Sequence, residues 1–116
     1  MNFDILIVGA GPAGLCLARA LSGCGLRIGV VEQQAQAALE NPAFDGREIA
    51  LTQHSAQLLR QLGLWARIEA YAPTAFAPLK DAKVFNGPSS FAMVIGREQS
   101  QASELGWFVS NHWIRR

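Results

Sequence analysis

The first apolar run in the chain is Ile5-Leu6-Ile7-Val8, unbroken and rich in β-branched residues. Such a run reads as a strand buried on both faces of a parallel sheet. Small residues follow it. From Pro12 to about residue 22, apolar positions then recur at helical spacing, with Leu15 and Ala18, and Leu17 and Leu21, paired along one side and Arg19 on the solvent side. Gly23 and Gly25 close that helix. A second apolar run over residues 26–31 ends in Glu32. The pattern predicts strand, helix, strand, with a right-handed crossover that leaves the two strands parallel and adjacent.

The later pattern is less regular. Residues 33–40 are rich in Ala and Gln and predict a short helix, which Asn41-Pro42 stops. A loop leads to an extended piece over residues 47–51. Thr52 is placed to cap a helix over residues 53–62, with Leu58, Leu59 and Leu62 as its apolar stripe and Gly63 as its stop. Leu64 and Trp65 are expected to pack beside that stop, with a further turn or two of helix over residues 66–71. Pro73 and Pro78 exclude a helix interior over residues 72–79. The period then drops to two. Residues 82–85 and 91–95, separated by Asn86-Gly87-Pro88-Ser89-Ser90, predict a hairpin or meander. Residues 96–104 read as a polar loop and residues 105–109 as another strand, and Asn111 is a candidate N-cap for a helix from His112. That helix has barely one turn, and isolated helices need several turns and a packed face. One crossover also covers only one face of a parallel sheet. The expected fold is therefore α/β, a Rossmann-like βαβ unit followed by a small hairpin or meander region. Residues 1–116 are expected to be the incomplete N-terminal part of a single domain.

The turn between the first strand and helix, Gly9-Ala10-Gly11-Pro12-Ala13-Gly14, is where chemistry enters. Gly9 allows a tight exit from the strand, Gly11 lets a pyrophosphate approach the backbone, and Gly14 lets the helix pack close to the strand. Pro12 suits the first helical turn, where its missing N–H costs nothing. The free amides of that turn, Ala13 among them, and the positive end of the helix dipole face the expected diphosphate. Glu32 lies about 20 residues beyond the glycines, where an acid accepts hydrogen bonds from an adenosine ribose and repels a 2′-phosphate. Strand, glycine turn, helix and acid together form the dinucleotide-binding fingerprint, with FAD or NAD favoured over NADP.

Bulk composition narrows the alternatives. The 116 residues carry a net charge of +1 and are half apolar, an ordinary globular balance. The charge is too even, and the basic residues too scattered, for a nucleic-acid partner. No apolar run is long enough to span a membrane, and the N-terminus has no basic signal-peptide region, which points to a cytoplasmic protein. Cys16 and Cys24 match no metal spacing and read as reduced thiols. His54 and His112 read as cap or surface residues. Trp65, Trp107, Phe85, Phe91 and Phe108 read as core. No serine sits in a nucleophile elbow.

Three segments together resemble a family. Gly9-Ala10-Gly11-Pro12-Ala13-Gly14-Leu15 with Glu32, then Asp45-Gly46-Arg47-Glu48-Ile49-Ala50-Leu51, then Leu58-Leu59-Arg60-Gln61-Leu62-Gly63-Leu64-Trp65, are similar to class A flavoprotein monooxygenases. Within these, the chain looks like the ubiquinone-biosynthesis hydroxylases, and most like the 5-demethoxyubiquinol hydroxylase branch. The resemblance implies FAD as cofactor, NAD(P)H as reductant and dioxygen as oxidant for hydroxylating an aromatic ring of a ubiquinone precursor. It implies that Gly9, Gly11, Pro12, Ala13 and Gly14 cradle the FAD pyrophosphate and that Glu32 holds the ribose. Arg47, which alone reads as a solvated loop charge, becomes a cofactor contact, and Arg115, or in its place Arg116, becomes a second. Catalytic and substrate residues, with the family's Gly-Asp segment near the flavin, are expected beyond residue 116. The chain alone is thus expected to bind FAD weakly and not to turn over. A lipid-tailed substrate further implies peripheral contact with the inner membrane or a ubiquinone-biosynthesis complex. The alternatives are another FAD- or NAD-dependent oxidoreductase and a non-catalytic nucleotide-binding module.

Overall fold

A computed structural model describes residues 2–99 and 101–116. The chain opens with strand β1 (Ile5–Val8), helix α1 (Pro12–Leu21) and strand β2 (Ile28–Val31). The two strands pair in parallel, with Ile5 opposite Ile28 and Val8 opposite Val31. The expected βαβ unit is therefore present, with the second strand starting two residues later than the apolar run. Ile7 is buried on the side of α1, whereas Leu6, Val8 and Val31 are exposed on the other. The wholly apolar strand is thus covered on one face only, and Val8 is 82% exposed.

Helix α2 (Gln36–Glu40), strand β3 (Glu48–Thr52), helix α3 (Gln53–Gln61) and helix α4 (Leu64–Tyr71) follow. The Thr52 hydroxyl accepts the Ser55 amide at 3.1 Å, so the predicted cap forms. The α3 stripe is shifted from the expected leucines. Ala56 and Leu59 are buried, Leu62 is half-buried and Leu58 is exposed. Ala56, Leu59 and Trp65 form the centre of the core, with Cys16, Leu51, Leu64, Phe76 and Trp107 packed around it. Trp65 stacks on Phe76 at 3.6 Å between ring centroids and meets Trp107 edge-on at 5.4 Å. Its indole N–H donates to Glu69 at 2.9 Å, so burial leaves no polar atom of that ring unpaired.

The segment around the prolines holds strand β4 (Phe76–Leu79), which the prolines had excluded only from being helical. Strands β5 (Asp81–Phe85) and β6 (Ala92–Gly96) form the predicted hairpin, antiparallel and in a sheet of their own. A 3₁₀ turn (Arg97–Gln99) lies in the expected loop, of which residue 100 falls outside the described residues. Strand β7 (Gly106–Ser110) then inserts between β3 and β4, antiparallel to both. Pro78 is tolerated because β4 is an edge strand, where a missing N–H breaks no inner ladder. Helix α5 (Asn111–Arg115) closes the chain. Ser110, not Asn111, is its N-cap residue, and no side chain caps it. The hairpin phenylalanines are not core. Phe85 and Phe91 are exposed, because the two-stranded ribbon has no second layer, and Phe108, on the three-stranded sheet, is 38% exposed. The molecule is elongated, 58 × 29 × 29 Å along its principal axes.

Candidate functional site: the cleft at the glycine turn

The turn between β1 and α1 is built by two glycines with different tasks. Gly9 has φ +101°, which an L side chain rarely adopts, and its amide extends the β1–β2 ladder by donating to Val31 O at 2.7 Å. A Cβ at Gly14 would overlap the Gly9 carbonyl oxygen and press on Ile7 Cγ2 at 3.3 Å. Helix and strand therefore approach as closely as they do only because position 14 has no side chain. Gly11 is different: a Cβ there would meet nothing within 4 Å. The space in front of its backbone is open.

Helix α1 begins at Pro12 with no side-chain cap. The amides of Ala13 and Gly14 lie in its first turn, where an α-helix offers them no internal acceptor, and the helix dipole adds positive potential. Not every amide of the turn is available, because the Ala10 amide donates to Glu32 Oε2 at 2.8 Å. Gly11, Ala13 and Gly14 are left to serve an outside anion.

Glu32 is held at the end of β2. Its second oxygen, Oε1, accepts the Gln34 amide at 2.8 Å. The Gln34 and Ala10 amides, with a smaller contribution from the nearby Arg115 charge, hold its carboxyl below the usual range. It is therefore ionised at neutral pH. Each oxygen still has a lone pair for an incoming hydroxyl.

A cleft of about 300 Å³ opens at this point, lined by Gly11, Pro12, Glu32, Arg47 and Arg115 together with Ala10, Gln34, Leu39 and Asn111. Five of the eight residues singled out from sequence thus line one cleft. Gly9, Ala13 and Gly14 do not line it but build the turn that forms its wall. Arg115 reaches Gln34 Oε1 at 3.2 Å. Arg116 does not line this cleft. It borders a larger neighbouring cavity of about 420 Å³ and lies over the Tyr71 ring at 5.5 Å. Between the two arginines that the sequence left open, Arg115 is the one on the cleft.

Sequence reading missed Gln34, Leu39 and Asn111 as wall residues. Asn111 was visible only as a helix-cap type. Its amide Nδ2 instead donates to Asp45 Oδ2 at 2.7 Å, across 66 residues of chain, a contact that no local signal carries. His112, read as a cap or surface residue, is half-buried. It packs edge-on against Phe44 and Trp113, and its Nδ1 is buried without a partner. Cys16 and Cys24 are free, and burial pushes the Cys16 thiol up, away from reactivity. Among the described residues, no group of His, Cys, Asp and Glu could hold a metal ion.

In chemical terms, the cleft offers an anion two guanidinium groups and a helix N-terminus, and offers hydroxyls a fixed carboxylate. Such a βαβ unit with a glycine turn is that of a dinucleotide-binding protein. A family model described as an FAD binding domain matches residues 2–96, and the chain belongs to that family. It is 42% identical to ubiquinone hydroxylase UbiM of Neisseria meningitidis, over 100% of this chain and 25% of that protein. It is 30% identical to ubiquinone hydroxylase UbiL of Rhodospirillum rubrum, over 97% of this chain and 25% of that protein. It is also 40% identical to the FAD-dependent monooxygenase verC1 of Penicillium polonicum, over 58% of this chain and 8% of that one. The chain spans about a quarter of the length of the first two curated relatives. Strand β7 and helix α5, the helix that supplies Asn111 and Arg115, lie beyond the residues that the family model matches.

Proposed function

We propose that this chain binds the adenosine diphosphate part of FAD in the cleft at the glycine turn. We further propose that it serves an FAD-dependent monooxygenase that hydroxylates an aromatic ring of a ubiquinone precursor. The observation that carries the reading is the convergence of Gly11, Glu32, Arg47 and Arg115 on one cleft from four separate parts of the chain. The residues present fit the group. The open backbone at Gly11 admits a phosphate, the Gly11, Ala13 and Gly14 amides and the two arginines supply donors, and Glu32 accepts from ribose hydroxyls. The Glu32 charge disfavours a 2′-phosphate, which separates FAD and NAD from NADP at this position.

Bound FAD supplies the redox chemistry, with NAD(P)H as electron source and dioxygen as oxidant; one oxygen atom enters the ring and the other leaves as water. The residues of this chain bind and orient the cofactor. The identity with two proteins named ubiquinone hydroxylases supports the substrate class. A substrate of that class would bring the protein to a membrane surface or into a ubiquinone-biosynthesis complex as a peripheral component. No helix among the described residues is long and apolar enough to cross a membrane.

Titration of the purified chain with FAD, followed by flavin fluorescence and by amide shifts in NMR, tests the reading. Saturable binding weaker than about 1 μM is expected, with shifts centred on Gly11, Ala13, Gly14 and Glu32, and with no ring hydroxylation by the chain alone. ADP should compete and 2′-phospho-ADP should compete less well. Absence of saturable binding, or shifts that avoid the glycine turn, overturns the cofactor assignment.

A further inference from the structure

We propose that Asp45 and Asn111 are positioning residues that aim Arg47 into the cleft. The proposal rests on the reading of that cleft as an FAD site. Arg47 is a long side chain on a loop, and 66% of it is exposed. Left alone it would sample many rotamers, and an unordered arginine gives up much of its binding energy on being fixed. The structure does not leave it alone. Gly46, at φ +69°, folds the chain so that the Asp45 carboxylate faces its second neighbour. The Arg47 amide donates to Asp45 Oδ1 at 3.1 Å, its Nε donates to Oδ2 at 2.8 Å, and its Nη2 is ion-paired with the same oxygen at 2.8 Å.

Asn111 ties this clamp to the interior. It is only 6% exposed and sits where β7 meets α5. Its side-chain amide donates to Asp45 Oδ2 at 2.7 Å, and its backbone amide donates to Arg47 O at 2.8 Å. Both the carboxylate and the arginine backbone are therefore fixed by one buried residue. An exposed ion pair by itself contributes little, but this one belongs to a network with a buried anchor. Asp45 takes one of the five guanidinium N–H groups in a hydrogen bond, so four remain for ligand oxygens. Asp45 itself does not line the cleft, while Arg47 and Asn111 do.

The charge of Asp45 makes the idea testable. Seen only as a charge, a carboxylate beside an anion site opposes binding, and its removal should tighten binding. Seen as a positioning group, its removal should weaken binding. FAD titrations of the 116-residue chain and its Asp45→Asn, Arg47→Ala and double variants separate the two, with circular dichroism as a check on folding. Arg47→Ala is expected to weaken FAD about tenfold and Asp45→Asn about threefold to tenfold. Asp45→Asn should add nothing in the Arg47→Ala background. If Arg47→Ala weakens binding and Asp45→Asn leaves it equal or tighter, the positioning role is overturned and the cleft reading stands. An equal loss from Asp45→Asn in both backgrounds also overturns it, since Asp45 would then act independently of Arg47. If Arg47→Ala changes nothing, Arg47's part in the cleft reading fails first. A measurement on the unaltered chain needs no variant: the Arg47 Nε–H should exchange with solvent more slowly than that of Arg19 in NMR. Equal rates would mean that no clamp exists in solution.

Discussion

Two residues of the glycine turn have separable jobs, and single substitutions should separate them. Gly14→Ala places a methyl against Ile7 in β1 and the Gly9 carbonyl just past it. Overpacking of this kind costs about 1–3 kcal/mol, and a fall in urea midpoint is expected with loss of FAD binding. Gly11→Ala meets no protein atom. Its unfolding free energy from urea denaturation should stay within about 0.5 kcal/mol of the parent, while FAD affinity is expected to fall, since the methyl would stand where the proposed site admits the phosphate. Equal destabilisation by the two changes would contradict the division of labour. Asp45 makes a pH prediction. Hydrogen bonds from Asn111 first and Arg47 second lower its carboxyl from 3.8 to about 2. A carboxyl depressed in the folded state stabilises the fold fully above its unfolded value, and that stabilisation is lost as pH falls through the folded value. Urea midpoints measured from pH 5 to pH 2 should therefore fall through this window, and the fall should be shallower in Asp45→Asn.

The elements divide into those whose own residues specify them and those that depend on neighbours. Helix α3 belongs to the first group. Its start was legible at Thr52 and its stop at Gly63, because capping is a local matter between residues three apart. Thr52→Ala should cost about 1 kcal/mol in urea denaturation. The β5–β6 hairpin was legible from its period of two and its Asn-Gly turn, yet its phenylalanines were expected inside and lie outside. Alternation locates a strand but does not say whether a second layer covers it. A two-stranded ribbon is marginal without such a layer. Amides of β5 and β6 should accordingly exchange with deuterium faster than those of β7, which is bonded on both sides. Protection of the hairpin equal to that of β7 would show that it is stabilised by contacts other than its own ladder.

For the molecule as a whole, cover is uneven. The core around Ala56, Leu59 and Trp65 is closed, whereas Leu6, Val8 and Val31 leave one face of the β1–β2 sheet open. The folded chain should bind an apolar fluorescent dye there. Val8→Ser with Val31→Ser should reduce the dye signal while shifting the urea midpoint little, since neither valine is packed. An unchanged signal would place the dye elsewhere. The strand–glycine–helix–strand–acid order is readable in the sequence alone, because each part depends on residues near it in the chain: apolar period, helix start and chain reversal are short-range effects. So are Thr52 and the hairpin turn. The β3–β7–β4 sheet was not readable, since strand pairing over some fifty residues leaves no local mark. Nor was the contact of Asn111 with Asp45, the choice of Arg115 over Arg116 on the cleft, or the commitment of the Ala10 amide to Glu32. Those depend on which side chains distant segments bring within hydrogen-bond range, and folding in three dimensions alone sets that.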